Sequence, residues 1–286
     1  MMRWYPAPAK LNLFLHVVGR RADGYHLLQT VFRLIDHCDE VGIALREDGE
    51  LRRTDSLPGV GADSDLCLRA ARLLKDRALA SFGERARAWG AEIGLRKELP
   101  LGGGLGGGSS DAATVLLVLN RLWQLDLPRA ELQSLALRLG ADVPLFVFGR
   151  NALGEGVGER LAALTLEPAW YLVLLPQVSV STKEIFSDAA LTHNTKPLKI
   201  PPFFAGQGSN DLEEVTSRRY PEVRAQLAVL RQHCASARMT GSGACVFAEF
   251  ATQADALAVQ SKLPETTHGF VARGLDRHPL YDWGID

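Results

Sequence analysis

The sequence predicts an α+β fold in two domains, and three observations carry that prediction. Strand-like and helix-like segments mix along the chain without the regular alternation of a doubly wound sheet. The 286 residues suffice for one large or two medium domains with full cores. A glycine-rich stretch near the middle, Gly154-Glu-Gly-Val-Gly, softens the composition, so the expected domains are residues 1–155 and 156–286.

Composition excludes several classes of function. With 47% hydrophobic and 23% charged residues the chain reads as a soluble globular enzyme. A net charge of −1 supplies no global field toward nucleic acid or a membrane surface, and neither is an expected partner. Cys38, Cys67, Cys234 and Cys245 show no metal-type or disulfide-type spacing, which points to a reducing compartment. The histidines form no H-x-x-x-H pair, so a zinc site is not expected. No apolar run reaches 18 residues, and Pro6, Pro8 and Lys10 interrupt any signal-peptide core. The expected setting is cytoplasmic.

Taken in order, residues 9–18 alternate as a strand, with Leu11, Leu13, Leu15 and Val17 on one face and Lys10, Asn12, Phe14 and His16 on the other. Such a polar face is ordinarily solvated. Gly19-Arg-Arg-Ala-Asp-Gly-Tyr-His follows as a turn that ends in an aromatic ring and a histidine, Tyr25 and His26. Leu28–Ile35 and Val41–Leu45 read as two strands separated by Asp36–Glu40, and 47–61 as a loop with one short strand. Asp63 or Ser64 caps a helix that carries Leu66, Leu68, Ala70, Leu73 and Leu74. Ala91–Leu95 is a strand that leads to Lys97 and the glycine loop.

That loop, Pro100-Leu-Gly-Gly-Gly-Leu-Gly-Gly-Gly-Ser-Ser-Asp-Ala-Ala, places six glycines before a helix marked by Ala112, Val115, Leu116, Leu119 and Leu122. Ser109, Ser110 and Asp111 suit a helix start. Glycines let a backbone approach a ligand closely, and a helix N-terminus offers unpaired amides and positive potential; together they suit a phosphate. A flexible linker is not punctuated by buried-type leucines or joined to an amphipathic helix. A Walker A loop needs Lys after its last glycine, where this chain has Ser109. Gly102, Gly104 and Gly107 do spell G-x-G-x-x-G, but a dinucleotide site also wants a βαβ unit and a ribose-binding acid. The acid near that distance, Asp126, precedes Leu127-Pro128 and reads as a helix cap.

The remaining elements follow. A helix opens at Pro128 and stops at Gly140. Asp142 lies between that stop and Pro144, as a turn or cap residue or as a functional carboxylate held beside a core. Residues 151–158 read as a loop, Trp170–Leu175 as a buried strand, and a short helix from Ser181 carries Phe186. Residues 193–209 form an exposed excursion. Helices at Asp211–Thr216, Pro221–His233 and Asp255–Leu263, a second glycine turn at Thr240-Gly-Ser-Gly-Ala and a strand at Gly269–Gly274 complete the chain.

Three of these stretches, Pro6-Ala-Pro-Ala-Lys-Leu-Asn-Leu, Pro100–Ala113 and Met239-Thr-Gly-Ser-Gly-Ala, resemble in order and spacing the three motifs of the GHMP kinases. The Gly-Tyr-His segment, Gly140-Ala-Asp-Val-Pro and Glu155-Gly-Val-Gly-Glu resemble the branch of that family that acts on a cytidine-diphosphate sugar alcohol. The resemblance implies an N-terminal domain like the second domain of ribosomal protein S5 and a C-terminal ferredoxin-like domain. It implies ATP-dependent phosphorylation of the 2-hydroxyl of that substrate, in the non-mevalonate route to isoprenoid precursors. A member that acts on another small alcohol, of homoserine or mevalonate type, and a non-catalytic nucleotide- or sugar-binding protein of the same fold are the alternatives.

Carried over residue by residue, the resemblance implies that Asp142 is the base and Lys10 its catalytic partner. Asn12, Tyr25, His26 and Phe186 fall on the substrate site, with cytosine stacked between Tyr25 and Phe186. Asp65, Leu66 and Lys97 fall where the family holds adenine and ribose. Pro100, Gly102, Gly103, Gly104, Leu105, Gly106, Gly107, Gly108, Ser109 and Ser110 form the ATP phosphate loop. Mg²⁺ is expected with the ATP, with no protein ligand assigned, and the oligomeric state is open between monomer and homodimer. Position 65 and position 111 carry Asp where the family has Asn; Asp111 is expected to turn from the phosphates and cap its helix.

Overall fold

Two long strands organise the chain. In the computed structural model, which describes residues 1–55, 61, 63–200, 203 and 206–286, β1 spans Arg3–Arg20 and β2 spans His26–Arg46, paired antiparallel along their length. The pairing shifts register between Pro8 and Ala9, between Asn12 and Phe14, and between Val17 and Gly19. At the first shift Pro8 faces Cys38 while Ala9 faces Ile35, so Asp36 and His37 are extra residues within one strand. The expected break at Asp36–Glu40 is therefore corrected to an irregularity inside β2. At the second shift Leu13 is the extra residue, and the strict two-residue alternation expected for β1 ends there. Neither face of β1 is solvated between Ala7 and Val17.

β3 (Leu51–Arg53) leads to α1 (Leu66–Phe82), whose N-cap is Asp65 rather than Asp63 or Ser64. Residues 56–60 of the expected loop lie outside the described residues. β4 (Gly90–Arg96) pairs with β2 and β3. Then come α2 (Gly107–Leu122), α3 (Arg129–Leu137) and α4 (Val143–Phe148), with Pro128 rather than Asp126 at the N-cap of α3. These helices and α1 bury Leu74, Leu116, Leu119, Leu132, Val143 and Phe146 against Ala7, Leu34, Ile43 and Ile93 of the strands.

Residues 151–158 are not a loop: β5 (Ala152–Gly156) pairs with Leu28–Phe32 of β2 and with β6 (Arg160–Ala163). The boundary expected between residues 155 and 156 falls within this hairpin. Beyond it lie β7 (Trp170–Leu174), α5 (Thr182–Phe186), α6 (Glu213–Arg219), α7 (Pro221–Arg231), β8 (Arg238–Met239), β9 (Val246–Phe250), α8 (Gln253–Gln260) and β10 (Gly269–Leu275). The strand order β10-β7-β9-β8 with helices between β7 and β8 and between β9 and β10 is a split β-α-β-β-α-β unit. β10 also pairs with β2 at Leu34 and Ile35, so one sheet runs through both halves. Residues 193–200 are less exposed than expected. Gln29 Nε2 donates to the Leu198 carbonyl at 3.1 Å, and the Leu198 amide donates to Gln29 Oε1 at 2.7 Å. Residues 201, 202, 204 and 205 of that excursion lie outside the described residues.

Candidate active site

A cleft of about 840 Å³ opens between the start of β1 and β2, the loop before α2, Asp142 and α5. Its chemistry begins on β1. Lys10 is 2% exposed, and its Nζ donates to Asn12 Oδ1 at 2.5 Å and to the Gly104 carbonyl at 2.9 Å. An ammonium has three protons, so the third is left for Asp142 Oδ2 at 3.6 Å or for a group that enters beside it. The Asn12 amide is oriented in turn: its Nδ2 donates to Thr30 Oγ1 at 2.8 Å, while Thr30 Oγ1 donates to the Phe14 carbonyl at 2.5 Å. The amide oxygen must therefore face the lysine. Asn12, expected as a substrate contact, lines the cleft with both ends of its amide engaged by the protein.

Asp142 is the residue before α4, and its carboxylate makes no cap bond to that helix. Its side chain is 39% exposed to the cleft while its lysine partner is 3% exposed. A carboxylate in that position is open to a ligand hydroxyl, and its charge is met by a cation that cannot move away.

The glycine loop is built against the second glycine turn. The Ala244 and Cys245 amides donate to the Gly102 and Gly103 carbonyls at 3.2 and 3.0 Å. Gly104 has φ +77°, and a Cβ there would stand 2.3 Å from the Thr240 carbonyl oxygen, so only glycine fits. Gly106, at φ 75° and ψ 17°, is the N-cap of α2, which corrects the helix start expected at Ser109–Asp111. The first helical bond runs from the Ser110 amide to the Gly106 carbonyl at 2.9 Å. The amides of Gly107, Gly108 and Ser109 precede it and line the cleft, a geometry that suits an anion. Pro100, Gly102, Gly103, Gly104 and Gly106 line the cleft too, whereas Leu105 and Ser110 are buried away from it.

Asp111 does turn from the cleft, but it caps nothing. It sits within α2, 3% exposed, with Oδ2 3.1 Å from Lys97 Nζ. Lys97 Nζ also bonds Asp39 Oδ2, and the Glu98 and Leu99 amides donate to Asp39 Oδ1 at 2.7 and 2.8 Å. One cation thus serves two buried carboxylates. Burial, with the Asp39 charge adding to it against Lys97, raises the Asp111 carboxyl well above the usual range, to about 7. Lys97 is held above its ordinary value by the two carboxylates, which outweigh its own burial. Lys97 and Asp65, expected beside adenine and ribose, do not line the cleft. Asp65 Oδ1 accepts from the Cys67 and Leu68 amides, and Oδ2 lies 3.4 Å from Arg53 Nε. Leu66 does line the cleft.

At the far end Tyr25, His26 and Phe186 come together on the cleft wall. Tyr25 is 64% exposed, after Gly24 at φ +90°. The His26 and Phe186 ring centroids are 5.0 Å apart. Burial first, then the nearby His193 and Arg20, lower the proton affinity of His26. Its Nε2 is buried without a hydrogen-bond partner among the described residues. Arg20 and Lys183 line the same region and add positive charge.

Two sequence profiles match the chain: the GHMP kinases N terminal domain over residues 65–150 and the GHMP kinases C terminal domain over residues 202–268. The chain belongs to the GHMP kinases. This kinase is 61% identical over 285 residues to a 4-diphosphocytidyl-2-C-methyl-D-erythritol kinase of Thiobacillus denitrificans, with 99% of each chain covered. It is 58% identical over 280 residues to the protein of that name from Nitrosospira multiformis, covering 97% and 93% of the two chains. A crystal structure of a 4-(cytidine 5'-diphospho)-2C-methyl-D-erythritol kinase superposes with a TM-score of 0.79 at 32% identity, over 96% of this chain and 99% of that one.

The kinase also uses residues that sequence reasoning passed over. Thr240 Oγ1 accepts from the Asn12 amide at 2.9 Å, which ties the second glycine turn to β1. Thr182 and Ser242 hydroxyls meet at 2.7 Å and tie α5 to that turn. Thr240 and Ser242 lie inside the Thr-Gly-Ser-Gly turn that the sequence marks, and Thr182 follows Ser181, where the marked helix begins. None of the three hydroxyls has a pattern of its own.

Proposed function

We propose that this kinase transfers the γ-phosphoryl group of ATP to the 2-hydroxyl of 4-diphosphocytidyl-2-C-methyl-D-erythritol, a step of the non-mevalonate route to isoprenoid precursors. The observation that carries the reading is the Lys10–Asp142 pair at 3.6 Å, set between an amide-rich helix start and the wall formed by Tyr25, His26 and Phe186. The donor end suits a triphosphate; the aromatic end suits a nucleobase. The hydroxyl of a sugar alcohol between them reaches the carboxylate and the ammonium together.

Asp142 accepts the proton as the hydroxyl oxygen forms its bond to the γ-phosphorus and the bond to ADP breaks. Lys10, fixed by Asn12 and Gly104, offsets the charge that develops on the attacking oxygen. Phosphoryl transfer depends mostly on position and electrostatics, so this pair and the loop amides suffice as the protein's share. Mg²⁺ is proposed as the companion of ATP. Among the described residues no group of three or more His, Cys, Asp or Glu side chains could hold a metal. The donor set therefore fits an ion carried by phosphate oxygens and waters, with Asp142 as the nearby carboxylate; bound there, it would neutralise phosphate charge. The cytoplasmic setting rests on four free thiols and the ATP supply. We take the two GHMP domains to divide after the β5–β6 hairpin.

The test is ADP release with 4-diphosphocytidyl-2-C-methyl-D-erythritol, homoserine and mevalonate as acceptors, repeated with Asp142→Ala. Turnover of the first acceptor alone, with kcat lowered by about 10² to 10⁴ in the variant, is the expected result. Equal turnover of homoserine or mevalonate would overturn the substrate, and an unchanged kcat the base.

A further inference from the structure

Behind the base-reading end of the cleft, three rings stand in a row. His26 lies between Phe186, at 5.0 Å and 31°, and His193, at 4.9 Å and 21° between ring planes. His26 and Phe186 line the cleft, whereas His193, in ring contact with His26, does not. The His193 position is built rather than incidental. Two residues before it, Leu191 is 4% exposed in the core with Ile185 and Leu212. Two residues after it, the Thr195 amide donates to the Val17 carbonyl of β1 at 3.1 Å. The turn between Phe186 and Leu191 is held by Asp188, which accepts from Arg218 Nη2 at 2.9 Å and Arg219 Nε at 2.7 Å. α6 thus ties down the turn that follows Phe186 through one carboxylate.

We infer that His193 is a positioning residue that holds the plane of the His26 imidazole and so sets which nucleobase the cleft accepts. The inference rests on the substrate class given above. The His26 ring needs such support, because its Nε2 finds no partner among the described residues and the residues just before it form an exposed turn. A neutral imidazole offers one donor and one acceptor in fixed directions. Burial, then the flanking His193 and Arg20, shift His26 toward that neutral form. Cytosine and uracil differ in what their edges present: an amino donor and a ring acceptor in one, a carbonyl acceptor and a ring N–H in the other. A ring fixed in plane tells these apart, whereas a ring free to rotate can turn to suit either. His193 does not line the cleft; it acts through its ring contact with His26.

The experiment uses the full chain with His193→Ala, His193→Leu, which fills space without a ring, and His193→Phe, which keeps the stack. Binding of cytidine diphosphate and uridine diphosphate is measured alongside steady-state kinetics with the cytidine-diphosphate acceptor. The Ala and Leu variants should weaken cytidine diphosphate binding and raise acceptor KM about five- to tenfold, with kcat and the KM for ATP within about twofold of the parent. Their preference for cytidine over uridine diphosphate should fall, and His193→Phe should restore both. Unchanged base preference in Ala and Leu, equal losses in Phe, or a loss confined to kcat would each overturn the inference. Failure of the parent to phosphorylate the acceptor while its cytidine preference still depends on His193 would instead overturn the function and leave this inference standing.

Discussion

Gly104 and Thr240 meet backbone to backbone: the Thr240 carbonyl oxygen occupies the space where a Gly104 Cβ would lie, at 2.3 Å, and Thr240 Oγ1 stands 3.4 Å from the Gly104 carbonyl oxygen. The same carbonyl accepts from Lys10 Nζ. One glycine therefore couples the two glycine turns and the lysine. Gly104→Ala should cost about 3 kcal/mol or more, from a left-handed alanine and from the displaced carbonyl. Chemical denaturation reads the loss. A midpoint equal to the parent's would mean that the two turns are not in contact.

Gly108 is the opposite case. It lies in the first turn of α2, and among the described residues a Cβ there would meet only Leu66 Cδ1, at 3.7 Å. Gly108→Ala should raise stability by roughly 0.5 kcal/mol, as helical alanine replaces glycine. It should also raise the KM for ATP about fivefold, roughly 1 kcal/mol, because Gly108 lines the cleft and the methyl group crowds the phosphates. A stabilised variant with an unchanged KM would place the triphosphate elsewhere.

Thr30 tests the orientation of the lysine. Its hydroxyl accepts from Asn12 Nδ2 and donates to the Phe14 carbonyl, so Thr30→Val leaves two buried groups unpaired. The expected loss of stability is about 1–3 kcal/mol. Freed from Thr30, the Asn12 amide can turn its NH₂ toward Lys10, and kcat should fall about tenfold with the KM for ATP unchanged, a loss of roughly 1.4 kcal/mol in the transition state alone. Kinetics at saturating acceptor would detect it; a rise in KM with constant kcat would show that Thr30 serves binding instead.

What the sequence makes legible follows from how local each signal is. The mixed α+β character, the glycine loop and the segments that carry Lys10, His26, Asp142 and Phe186 all stand out, because each is marked by its own residue pattern. The strict alternation read for β1 fails at Leu13, since a bulge is fixed by pairing with a second strand, here β2, and not by β1's own residues. Beyond it Leu15 lines the cleft, whereas Phe14 packs on Phe203. Asp36–Glu40 looks like a break because it is polar, yet Asp39 is fully buried and paired with Lys97, 58 residues away. His193 lies in a Pro- and Lys-rich stretch that looks exposed. Its place beside His26 is a tertiary fact with no local mark.

Asp111 joins that group, and it carries the sharpest pH dependence. Lys97 bonds both Asp39 and Asp111, but only Asp39 also accepts from two backbone amides. Asp111 Oδ1 accepts no hydrogen bond from a protein donor among the described residues. Burial is the chief cause that raises the Asp111 carboxyl, to about 7. An unfolded aspartate ionises near 3.9 (roughly). Between those values the folded state holds a proton that the unfolded state has released, so this group makes stability fall as pH rises from about 4 to about 7. Above that range both states are ionised and the loss is complete. Asp111→Asn has no such proton and leaves Lys97 its Asp39 partner. Relative to the parent, the variant should gain roughly 2 kcal/mol between pH 5 and pH 8, read from urea denaturation at each pH. The Lys97 contribution lies outside that window, because its raised value is lost only in strongly alkaline solution. A stability difference that stays constant from pH 5 to pH 8 would mean that Asp111 is ionised throughout, and that Lys97 balances both carboxylates at once.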